Sequence, residues 1–196
     1  DTDRNRQEIP SEKELKTAEE LYVPVPDDNA TFYSLAAHFS ADLPHLLDAT
    51  RDEQREFLRK LLRFNDRHAT LEPLGEVETF DTHTVERFKV QIGDDWSISV
   101  AVIGGESIER TALLLADAGF KSQAEAIAAQ VEKGTRIICF DPVNIGEMQP
   151  LRIPYQGAML LATVGERPLA VQAQQIQCVA AAVGKRYGTK TVDVVS

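Results

Sequence analysis

The sequence has little sulfur: two cysteines, Cys139 and Cys178, and two methionines in 196 residues. One pair of thiols does not make the framework that staples small secreted domains, and neither cysteine stands at a metal-ligand spacing. Both fall in apolar segments, so two buried thiols are expected rather than a bridge. No apolar run approaches the ~18 residues that a membrane-spanning helix needs. Positive charge is also short: 21 Lys and Arg face 31 Asp and Glu, for a net charge of -10 and a pI near 4.9. A phosphate backbone or an anionic membrane surface would be repelled, so no nucleic-acid partner is expected. The one basic series, Arg51, Arg55, Arg59, Lys60, Arg63 and Arg67, is interleaved with Asp52, Glu53, Glu56 and Asp66 and reads as a solvated helix face. Gly104-Gly105 and Gly119 lack the G-x-G-x-x-G spacing, and no cofactor is expected. His38, Asp42 and His45 lie close together, but Ser40 and Pro44 interrupt the helical pattern between them. Surface or capping roles fit better than metal ligation. No signal peptide is visible; the first residue is Asp1 and not Met, which leaves a lost targeting segment open and the compartment unassigned.

What is present is a globular composition, 43% hydrophobic and 27% charged. Residues 1–10 are polar and expected to be flexible. Residues 11–74 read as a helical leader. Ser11 with Glu14 forms a capping box for a helix through about Leu21, and Tyr22-Val-Pro-Val-Pro26 must be extended. Asp27, Asp28 and Asn29 offer a cap for a helix carrying Phe32, Tyr33, Leu35 and Phe39. Thr50 with Glu53 boxes the helix Arg51–Arg63, with Phe57, Leu58, Leu61 and Leu62 on one face.

From residue 75 the period changes. Gly75–Phe80, Thr84–Ile92 and Trp96–Ile103 alternate as strands, with Gly93-Asp94-Asp95 as a hairpin signal and Gly104-Gly105 as a break. Then follow strand (Ala112–Leu115), helix (Ser122–Glu132), strand (Arg136–Phe140), loop, helix (Leu169–Arg186) and strand (Thr191–Val195). That alternation predicts a mostly parallel sheet with an antiparallel hairpin at its start and right-handed crossovers, an α/β fold. Chemistry in such sheets collects at the carboxyl ends of the strands.

Several segments resemble the α/β-hydrolase superfamily. Leu113-Leu-Leu-Ala-Asp-Ala-Gly-Phe120 looks like that family's strand and oxyanion loop. Gly134-Thr-Arg-Ile-Ile-Cys-Phe-Asp-Pro142 with Gly146-Glu147 is similar to its following strand and turn, and the Arg167–Tyr187 helix with Thr191–Val195 to the elements leading into the nucleophile elbow. Together they look most like the amino-terminal half of the acetylxylan esterase and dienelactone-hydrolase-like branch. The resemblance covers about Thr84 to Ser196 and implies an incomplete α/β-hydrolase fold. It implies Gly119 and Phe120 as oxyanion-hole candidates, with Asp117, Asp141 and Gly146 shaping the loops. Asp117 could cap the Ser122 helix region or hold its own loop.

The departures are as telling. Ala118 stands where the family has histidine, although a backbone N–H needs no particular side chain. No G-x-S-x-G occurs, and Ser196 follows Val194 where the elbow wants glycine. No catalytic residue is therefore expected within the chain. Two readings stay open: the amino-terminal part of a serine-type ester hydrolase acting on a small or carbohydrate ester, and a non-catalytic scaffold or binding module. In either, the last strand is expected at an open edge, inviting self-association or packing with a carboxyl-terminal half.

Overall fold

A computed structural model describes residues 11–43, 49–149 and 154–196; the polar segment 1–10 and His45 lie outside them. The chain forms two compact units, Asp1–Asp48 and Ala49–Ser196.

In the first unit, α1 (Ala18–Leu21) and α2 (Phe32–Ala41) are joined by the extended proline segment, and every described residue is exposed. Capping differs from expectation. Thr17 and Glu20 form the box that opens α1, while Ser11 and Glu14 close only a turn. Residues 11–16 have no apolar face to bury, and so short a helix does not persist on propensity alone. Thr31 caps α2 through Ser34, in place of the Asp27–Asn29 group.

The second unit opens with α3 (Arg51–Leu62), which carries the expected Thr50–Glu53 box and ends with Arg63 in the left-handed conformation at φ 56°. A seven-stranded sheet follows: β1 (Ala69–Pro73), β2 (Glu78–Phe80), β3 (His83–Ile92), β4 (Trp96–Gly105), β5 (Arg110–Leu114), β6 (Thr135–Cys139) and β7 (Asp193–Val195). Its order is β1-β3-β4-β6-β5-β7, with β2 also on β3. The α/β class holds, but the sheet is mixed rather than mostly parallel. Among the described residues parallel pairing is confined to β6-β5-β7, and β4 joins β6 antiparallel. The antiparallel part is larger than expected because β1 joins the hairpin, beside β2 from the Gly75–Phe80 stretch that was expected as a strand.

Alternation explains which faces are buried. Ile98, Val100 and Val102 of β4 sit with Phe88, Val90 and Ile92 of β3 on the face covered by α6 (Pro168–Tyr187), against Cys178, Val179 and Val183. The opposite face packs Ala112, Leu114, Ile137 and Cys139 against Ile127 and Val131 of α4 (Ala124–Glu132). At roughly 25 cal/mol per Å² of apolar surface removed from water, these two layers dominate the stability of the unit.

Three further differences have local causes. β1 lies inside what reads as helical leader; it is held by its ladder to β3, Ala69 opposite Ile92 through Pro73 opposite Phe88. Gly104 and Gly105 are the last two residues of β4 rather than a break before its end, because Thr84 and His83 continue the ladder across both glycines. A helix, α5 (Pro154–Thr163), occupies part of the span expected as loop; Gly157 inside it and Pro154 at its start hide it from a pattern search.

Candidate active site

β5, β6 and β7 run parallel, so their carboxyl ends lie together at one end of the sheet. A cleft of about 530 Å³ opens there, with Leu115, Pro142, Ile145, Leu169 and Ile176 as apolar walls. Asp117, Gln172 and Ser196 supply its polar groups, and no histidine lines it among the described residues. Asp117 caps neither the 3-10 turn Phe120–Gln123 nor α4.

The other sequence-derived residues cluster beside the cleft. The buried Asp141 follows β6; its Oδ1 accepts the N–H of Phe120 at 2.8 Å and its Oδ2 the N–H of Glu147 at 2.9 Å. The Gly119 N–H is donated to the Ala116 carbonyl at 2.9 Å. Both amides named as oxyanion candidates therefore have intramolecular acceptors in this structure. Phe120 also lines a second, more apolar groove of about 460 Å³ on the α4 face, with Val85, Ile103 and Ile127. Gly146 crosses directly over the Asp141 carboxylate, and the side chains of Lys121 and Glu147 pair between the two loops.

Two residues that the sequence reading passed over fix the turn after β6. The Gln175 Oε1 accepts the Val143 N–H at 2.8 Å, and the Gln172 side-chain amide donates to the Val143 carbonyl at 2.8 Å. Their signal was there: glutamines three apart on a helix, set among the apolar Val171, Ala173 and Ile176. Cys139 ends β6 fully buried. Burial, and after it the Asp141 charge, push its thiol up to about 12, so it stays protonated and is not a nucleophile. Both cysteines are free and buried, as expected.

Sheet, crossovers and cleft together define an α/β scaffold with a cleft at the carboxyl ends of its parallel strands. No protein-family model matches the chain, and no curated protein matches it by sequence. Among solved structures it is similar to a candidate acetyl xylan esterase from Bacteroides fragilis NCTC 9343, with TM-score 0.60 and 11% identity, over 87% of this chain and 56% of that one. It is also similar to the methylesterase BT1017, with TM-score 0.42 and 18% identity, over 71% of this chain and 31% of that one. At such identities the first likeness establishes fold and not activity. The chain spans little more than half the length of that first structure.

Proposed function

We propose that this chain is the amino-terminal part of a serine-type carboxylic-ester hydrolase of the acetylxylan-esterase-like kind. Nucleophile, acid and histidine would lie in polypeptide beyond these residues, and the chain alone would be inactive. The observation that carries this reading is the cleft at the carboxyl ends of β5, β6 and β7, beside the Phe120 loop. Parallel α/β sheets gather their chemistry at that end. The reaction would be acyl transfer from a small or carbohydrate ester to a serine, then hydrolysis of the acyl-enzyme by water. It needs no cofactor.

A second reading, a non-catalytic scaffold or binding module, is favoured by one observation: the Gly119 and Phe120 amides already have acceptors. One experiment separates the two. The 196-residue chain, and the same chain extended through its downstream coding sequence, are assayed on 4-nitrophenyl acetate and labelled with a fluorophosphonate. The hydrolase reading expects turnover and labelling in the extended chain alone. Inactivity of both supports the scaffold. Activity of the short chain that is lost in Ser196→Ala overturns the assignment of the nucleophile to later sequence.

A further inference from the structure

Two main-chain N–H groups from different loops, Phe120 and Glu147, converge on one carboxylate, that of Asp141. Asp141 is 5% exposed, so this anion is almost wholly withdrawn from water. Main-chain amides that converge in turns form anion-binding hollows, and a buried carboxylate stays charged at tolerable cost only when such donors meet it. The hollow is shaped to its occupant. Gly119 and Gly146 have φ of 84° and 49°; a methyl group on Gly119 would fall 3.0 Å from the Asp141 Oδ2, and one on Gly146 would collide with the same oxygen. Any side chain at those two positions would take the space that the carboxylate fills.

We propose that the Phe120 and Glu147 amides form a two-donor anion site which the chain fills from inside with Asp141. Asp141 is thereby the positioning residue of the oxyanion-type loop. Its bearing on catalysis rests on the hydrolase reading above; the anion site itself does not. A carboxylate is a far better acceptor than a neutral ester carbonyl, so a ground-state ester cannot take the Phe120 N–H from Asp141. The amide is committed to holding the loop, and Asp141 sets where that loop stands relative to the cleft.

The test is chemical rescue, read by amide hydrogen exchange of the 196-residue chain. In Asp141→Ala the Phe120 and Glu147 amides should exchange about tenfold to a hundredfold faster, the range expected for a lost hydrogen bond to a charged group. The Ile137 and Ile138 amides of β6 should keep their protection. Sodium formate, which supplies the missing carboxylate, should restore protection in Asp141→Ala, and sodium chloride at equal ionic strength should not. Asp141→Asn keeps the side-chain volume and blocks the hollow, so at least one of the two amides should lose protection and formate should not restore it. Unchanged exchange at both amides in Asp141→Ala and Asp141→Asn would overturn the proposal. So would a folded Asp141→Ala whose amides formate does not protect. Should Asp141→Ala not fold, Asp141→Asn decides by the same exchange reading. An extended chain that proves inactive on esters leaves these results untouched, so failure of the hydrolase reading is told apart from failure of the anion site.

Discussion

A methyl group placed on Gly119 would lie 2.8 Å from the Cα of Gly146, and one placed on Gly146 would lie 2.8 Å from the Cα of Gly119. The two backbones touch without side chains between them. This contact brings the loop after β5 against the turn after β6, with the Asp141 carboxylate bonded to both. Two glycines that stand 27 positions apart in the chain are therefore one structural unit.

Gly146→Ala should be strongly destabilising. The added carbon meets the Asp141 Oδ2, the Asp141 carboxyl carbon and the Gly119 backbone at once, at a φ that disfavours a side chain. A loss of about 2–4 kcal/mol is expected by urea unfolding, from overpacking and backbone strain together. A loss within the range of ordinary surface substitutions would mean that the two loops do not meet in solution.

Gln174 gives the opposite sign. It is 2% exposed, and neither its side-chain nitrogen nor its oxygen has a hydrogen-bond partner. Replacing it with methionine keeps the shape and removes two buried unsatisfied groups. Gln174→Met should stabilise the unit by about 1–2 kcal/mol. A destabilised variant would show that the amide is hydrogen-bonded after all.

Alkaline pH should weaken the fold through a buried thiol. The Cys139 thiol, with an ordinary value of 9.0, is raised to about 12 by burial and then by Asp141. Burial, and after it the Glu86 hydrogen bond, raise the Tyr187 hydroxyl as well. A raised value means that the folded state keeps its proton where the unfolded chain loses it. The thiol's contribution is thus fully present below pH 9.0 and is lost as the pH rises toward about 12. The loss amounts to up to about 1.4 kcal/mol per pH unit. Unfolding free energy measured between those limits should fall more steeply in the native chain than in Cys139→Ala. A thiol-specific disulfide reagent should titrate neither cysteine until the protein is denatured.

Among the described residues β7 stands at the end of the sheet order, paired on one side only with β5, and its Val194 is 60% exposed. Unpaired backbone groups beside exposed valine favour edge-to-edge association. Light scattering over a concentration range should show a mass that rises with concentration, and Val194→Lys should lower it. A strictly monomeric native chain would remove the case for an interface at this edge.

The strongly periodic parts of the unit were readable before any coordinates. The alternation in β3 and β4 marks a half-buried hairpin, because side chains on a strand change face at every residue. The Thr50–Glu53 pair marks the start of α3, because the box satisfies backbone donors within four residues. The helix expected over Leu169–Arg186 is found as Pro168–Tyr187, and the structure adds that Gly188 closes it in the left-handed conformation. β1, α5 and the true start of α1 were not readable. β1 exists only through its ladder with β3, and α5 carries a glycine that argues against it locally. For α1, two competing capping boxes differ by nothing that a short window can weigh.

For the candidate site the division is sharper. The resemblance implied Gly119 and Phe120 as oxyanion-hole candidates, with Asp141 and Gly146 shaping the loops. It could not say that the Phe120 N–H points at Asp141, since a hydrogen bond across 21 positions is set by how β5 and β6 lie side by side. Sequence alone fixed the local choices: caps, alternation, and where a chain lacking G-x-S-x-G cannot place an elbow. Only the tertiary structure decided which amides are already satisfied and which loops touch. Those depend on parallel pairing that brings distant loops to one end of the sheet, and no periodicity within a segment encodes that distance.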